Sequence, residues 1–91
     1  MFSIWVRTLK EDKLQKNAII NFGQKFKKGD FFDYVSKICN ELDIPTPVIL
    51  SKHVNHFASF NNTHFTKEDF VEPIDFDRLV LEFCKEDGQN N

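Results

Sequence analysis

Much of what usually marks a function is missing from this 91-residue chain, and each absence closes off a class. No apolar run is long enough to cross a bilayer. Met1 leads straight into an alternating pattern with no basic, then apolar, leader. Neither a membrane span nor a signal peptide is therefore expected, and the expected location is cytoplasmic. Cysteine occurs only at Cys39 and Cys84, too sparse for a disulfide framework, so two reduced and buried thiols are expected. No surplus of positive charge exists either: the formal charge is −2, and nucleic acid is not the expected partner. There is no catalytic motif, cofactor signature, internal repeat or linker, so no enzyme activity and no cofactor are expected.

What is present is a small domain rich in large apolar rings. A chain of this size buries roughly 60–65% of its unfolded surface, so its interior must be filled efficiently. Eleven phenylalanines suit that purpose. Residues 1–85 are expected to form one compact domain, with 86–91 as a disordered polar tail.

The most clearly written element runs from Asp30 to Pro45. Phe31, Val35, Ile38 and Leu42 recur at spacings of four, three and four, and Tyr34 and Cys39 widen the stripe. This is one buried face of an amphipathic helix. Asp30 is placed to cap it, Asp33 adds a charge to the first turn, and Pro45 ends it.

Strand patterns lie on both sides of this helix. Phe2, Ile4, Val6 and Thr8 alternate with polar neighbours, as do Leu14, Ala18, Ile20 and Phe22, with Lys16 the exception. Lys10-Glu11-Asp12-Lys13 has the length of a hairpin link. Trp5, Leu9 and Ile19 then fall on the outward face, where a cluster would form an exposed apolar patch. After the helix, Thr46–Lys52 reads as a short buried strand introduced by Pro47. His53–Phe65 reads as a small hairpin or ordered loop, with a tight turn at Asn61-Asn62. Thr66-Lys67-Glu68-Asp69 has capping-box spacing and predicts one helical turn, and Asp77–Cys84 predicts a strand.

Strand, strand, helix, strand, short turn, strand resembles the β-grasp of ubiquitin-like proteins. Met1–Leu9 is similar to their opening strand. The passage into Ile44-Pro45 is similar to their helix-to-strand passage, and Thr66–Phe70 to the turn before their last strand. Arg78–Phe83 would be that last strand, lying centrally. The resemblance implies an α+β domain: a mixed sheet of four or five strands with one long helix across it. A ββα core followed by an antiparallel meander is the alternative. The chain ends Asp87-Gly88-Gln89-Asn90-Asn91 rather than in the Gly-Gly of conjugated modifiers, and it lacks the four thiolates of a ferredoxin. The resemblance thus implies the non-conjugated group, which presents a surface to a partner.

Two places are candidates for that role. The first is the Trp5, Leu9 and Ile19 surface, and the second is the histidine segment. His53, His56 and His64 are all the histidines of the chain, gathered within twelve residues. Three imidazoles would suffice for a transition metal if a thiolate or carboxylate completed the set, although His-x-x-His matches no standard zinc spacing. The expectation is a small, soluble, non-catalytic protein-interaction module with an unidentified protein partner, the alternative being a metal-binding protein. Homodimerisation through an exposed sheet edge is also open to it. Lys25, Lys27 and Lys28 around Phe26 would suit a phosphate or single strand, but read more simply as a solvated loop.

Overall fold

Strand alternation at both ends of the chain closes into one sheet. In the computed structural model, which describes residues 1–86, β1 (Phe2–Lys10) and β2 (Lys13–Phe22) form a hairpin. Two helices follow, α1 (Phe31–Leu42) and α2 (Ser51–Phe60), and then β3 (Asn62–Thr66) and β4 (Arg78–Glu86). Short 3-10 turns precede α1 at Lys28–Asp30 and follow β3 at Lys67–Asp69. The strand order is β2-β1-β4-β3, so the last strand lies centrally beside the first, as expected. β4 continues through Glu86, and the rest of the expected tail, 87–91, lies outside the described residues.

The sheet is not mixed. All three of its pairings are antiparallel. A parallel pairing of the end strands would need a crossover, whereas β4 returns from the 70–77 loop beside the β1–β2 turn and so runs against β1. Asp77 fixes that return: its N–H donates to the Leu9 carbonyl at 2.7 Å, and its carboxylate accepts from the Glu11 N–H at 2.7 Å. Glu11 and Asp12 both have positive φ, as a two-residue hairpin turn requires.

The second departure is a second helix where a strand and a loop were expected. Residues 44–50 carry Pro45 and Pro47 and stay outside both helix and sheet; Val48 donates one N–H to the Asp69 carbonyl at 2.7 Å. Val48 and Leu50 are exposed, so the apolar run is not a buried strand. Only His53 and Phe57 of α2 are buried, with Val54 half-buried. Its apolar face is one histidine and a few rings wide, which is why it left so faint a helical period. Asn61 ends α2 in the left-handed region at φ 64° and turns the chain into β3, at the predicted turn.

α1 matches its stripe: Phe31, Tyr34, Val35, Ile38 and Cys39 are buried. Asp30, however, makes no side-chain cap; it closes the preceding 3-10 turn, where its N–H donates to the Lys27 carbonyl at 3.0 Å. Asp43, in the left-handed region at φ 57°, stops the helix before Pro45 is reached. The helices lie on the even-numbered face of β1. There Phe2 stacks on Phe22 at 4.7 Å between ring centroids and meets Tyr34 edge-on at 5.0 Å. Phe26 tucks against the same cluster, with Phe2 and Phe57 at 5.5 and 5.6 Å, so the lysine loop hangs on a half-buried ring.

Candidate functional site

Among the described residues, no element covers the opposite face of the sheet. Register places Trp5 of β1 between Ile19 of β2 and Glu82 of β4. Arg7 lies between Asn17 and Val80, and Leu9 between Leu14 and Arg78. The predicted trio Trp5, Leu9 and Ile19 is therefore on one face. Leu14 joins it against expectation. A bulge in the β1–β2 ladder opposite Thr8 and Leu9 shifts the register, so Leu14 pairs with Leu9 and faces outward, 54% exposed. Thr8 anchors the bulge from the buried side, where its hydroxyl accepts the Lys16 N–H at 2.9 Å. A bulge leaves little trace in sequence; Lys16 breaking the apolar series of β2 is the one sign of it.

Trp5 is held from several sides. Its indole N–H donates to the Asn17 side-chain oxygen. The Arg7 guanidinium stacks on its ring at 3.9 Å and pairs with Glu82 at 2.8 Å. Arg7 Nε is buried without a hydrogen-bond partner. An amphipathic ring, a stacked guanidinium and an exposed Ile19 (61%) are thus fixed side by side before anything binds.

The three histidines are also brought together, lining a cleft of about 320 Å³ with Lys52, Thr63 and Asp69 among its other walls. Their roles differ. His53 is buried: Nδ1 accepts the Leu50 N–H at 2.9 Å, Nε2 faces Asp69 Oδ2 at 3.5 Å, and the ring packs on Phe65 at 4.3 Å. An Nδ1 that accepts is unprotonated, so the ring is the neutral Nε2–H tautomer. Burial holds its pKa below the ordinary value, against the pull of Asp69. Both nitrogens are committed, leaving no lone pair for a metal or a substrate proton. His56 is exposed, with Nδ1 2.7 Å from the Asn62 carbonyl, and His64 is exposed on β3. Among the described residues, no group of three or more His, Cys, Asp or Glu is placed to hold a metal ion.

The cysteines do not meet the requirements of a nucleophile. Burial pushes the Cys39 thiol up to about 11, against a smaller opposing effect from Thr46. Cys84 is exposed rather than buried: β4 carries a bulge between its pairings to Ser3 and Ile4, which displaces the residue after Phe83. The acidic residues of the last loop are structural where they make contacts. Asp69 Oδ2 accepts the Thr66 N–H at 2.9 Å in the expected capping box, and Asp77 holds the β1–β2 turn.

No helix among the described residues is long and apolar enough to cross a membrane. Compared with protein-family models, curated proteins and solved structures, the chain matches none. What it is by structure is a small α+β domain: a four-stranded antiparallel sheet with two helices on one face.

Proposed function

We propose that the chain is a non-catalytic protein-interaction module whose docking surface is the uncovered sheet face around Trp5. The observation that carries this is the preset Trp5–Arg7 stack, held by Asn17 on one side and Glu82 on the other. Tryptophan and arginine dominate binding energy where they are packed and desolvated on contact, and a side chain already ordered loses less entropy on docking. Ile19, Leu9 and Leu14 extend the apolar surface around the stack.

A protein suits this face better than nucleic acid. A strand of RNA or DNA needs successive rings for stacking and uncompensated cations for phosphates, whereas Trp5 on β1 and the exposed His64 on β3 have β4 between them, and Glu82 neutralises Arg7. The resemblance to non-conjugated ubiquitin-like proteins is in keeping with the proposal, which does not depend on it, since the β1–β4 pairing is antiparallel. The metal-binding alternative is the weaker reading. With His53 committed it retains the exposed His56 and His64, and His56 spends one nitrogen on Asn62.

The test compares proteins retained from native-cell extract by the wild-type chain, by Trp5→Ala, and by Phe32→Ser as a control on the helical side. The expected result is a partner kept by the control and weakened by at least about tenfold with Trp5→Ala, the loss typical of a truncated anchor. A partner profile indifferent to Trp5→Ala would overturn the proposal.

A further inference from the structure

The two edges of the sheet are finished differently. β3 is five residues long, and α2 turns directly into it, with His56 closed onto the Asn62 carbonyl. β2 is ten residues long and, among the described residues, has no strand beyond it. Its free backbone groups can be assigned. Phe83 of β4 donates its N–H to Asn61, on the β3 side, so the paired Ile4 directs its own groups to Ile20 in β2. Alternation then turns the N–H and C=O of Asn17, Ile19 and Asn21 outward. The Lys37 ammonium, 3.4 Å from the Asn21 carbonyl, occupies that outer side.

Such a row accepts one kind of guest, an extended strand. The segment Asn17-Ala18-Ile19-Ile20-Asn21 is matched to its own reverse. Set antiparallel about Ile19, it places Ile19 against Ile19, Asn17 against Asn21 and Ala18 against Ile20 of the second copy. No like charges oppose one another within it, and 17–24 contains no charged residue. Lys13 and Lys16 precede this segment rather than interrupt it, and the exposed Lys37 of α1 reaches its far end at Asn21. Lys16 is turned away to the Leu42 carbonyl at 2.9 Å.

We propose that two copies of the chain pair through β2 in this register, forming one continuous eight-stranded antiparallel sheet. About six backbone hydrogen bonds close the seam, two at each opposed outward pair, with the exposed Lys37 ammonium of each copy moving off the Asn21 carbonyl. Ile19, 61% exposed in the single chain, becomes the apolar centre of the joint. The two Trp5 surfaces then lie on one shared face, one strand in from the seam on each side. This inference is independent of what binds Trp5.

Sedimentation of the full chain across a concentration series, with amide exchange on the same samples, tests it. The expected mass at high concentration is twice 10.7 kDa, with the Ile19 and Asn21 amides protected only in the dimer. Asn17→Asp combined with Asn21→Asp sets like charges against each other across the seam and should leave a monomer with an unchanged circular dichroism spectrum. Asn17→Asp combined with Asn21→Lys sets opposite charges together and should restore the dimer. A wild-type chain that stays at 10.7 kDa, or a dimer indifferent to both pairs of substitutions, would overturn the proposal.

Discussion

The two faces of the sheet are made from the same strands yet obey different rules. The inner face is closed by α1 and α2 over Phe2, Ile4, Val6, Leu79 and Leu81, all at or below 1% exposure. The outer face carries Trp5, Arg7, Ile19 and Glu82, ordered by hydrogen bonds, an ion pair and a cation–π stack rather than by burial. Inner residues are replaceable only by residues of like shape, because interiors are close-packed. Outer residues contribute little to folding, so their arrangement is available for recognition. If that division is real, equal chemical changes on the two faces should have very unequal effects on stability.

The largest effect is expected at Phe2. Its ring is at the meeting point of Phe22, Phe26, Tyr34 and Phe83, 1% exposed. Phe2→Ala removes that hub and leaves a cavity that its aromatic neighbours cannot refill, at a cost of about 3–5 kcal/mol. A domain this small has a total stability of about 5–13 kcal/mol, so urea unfolding should show a large loss or no folded baseline. A loss under about 1 kcal/mol would mean that the aromatic cluster relaxes freely and that the inner face is not the rigid one.

How much of this division is legible in sequence depends on period and on partner. β1, α1 and β4 show their buried faces because each packs one complete apolar stripe against the core, and the stripe repeats at the period of its element. The outward placement of Trp5, Leu9 and Ile19 follows from the same alternation. α2 does not show itself, since its buried face is His53 and Phe57 with little else, and the preceding Val48-Ile49-Leu50 resembles a strand at short range. Strand direction is equally hidden. It is set by the 70–77 loop and by the Asp77 bonds to Leu9 and Glu11, contacts between residues more than sixty apart. The histidines lie on α2 and β3 rather than in one loop, and single-sequence spacing does not reveal that His53 is a buried acceptor for Leu50.

His53 offers the intermediate effect. It joins α2 to β3 and to the Lys67–Asp69 turn through Leu50, Phe65 and Asp69. His53→Ala should cost about 2 kcal/mol, from lost packing and an orphaned Leu50 amide. The wild-type chain should also lose stability on acidification. Its folded pKa lies below the ordinary 6.5, so the neutral ring is the form that folding favours. The contribution is complete above the unfolded value and is lost as pH falls through the folded one. Urea midpoints should therefore decline below about pH 6.5. That component of the decline should vanish in His53→Ala; a parallel decline in both proteins would place the titration elsewhere.

The smallest effect is the sharpest comparison, because it uses one residue type at adjacent positions. Ile19 and Ile20 share a strand, but Ile20 is 6% exposed and Ile19 is 61% exposed. Ile20→Val removes a methylene from the packed side and should cost about 1 kcal/mol. Ile19→Val keeps the β-branched shape that strands favour and loses no core contact, so the change should stay within about 0.5 kcal/mol. The measurement must be made dilute, where a β2 seam would be dissociated and cannot lend its own stability. Equal losses would mean that Ile19 is already covered within the single chain, leaving no free outer face to recognise anything. A loss at Ile19 that appears only at high concentration would instead locate its cover in a second copy.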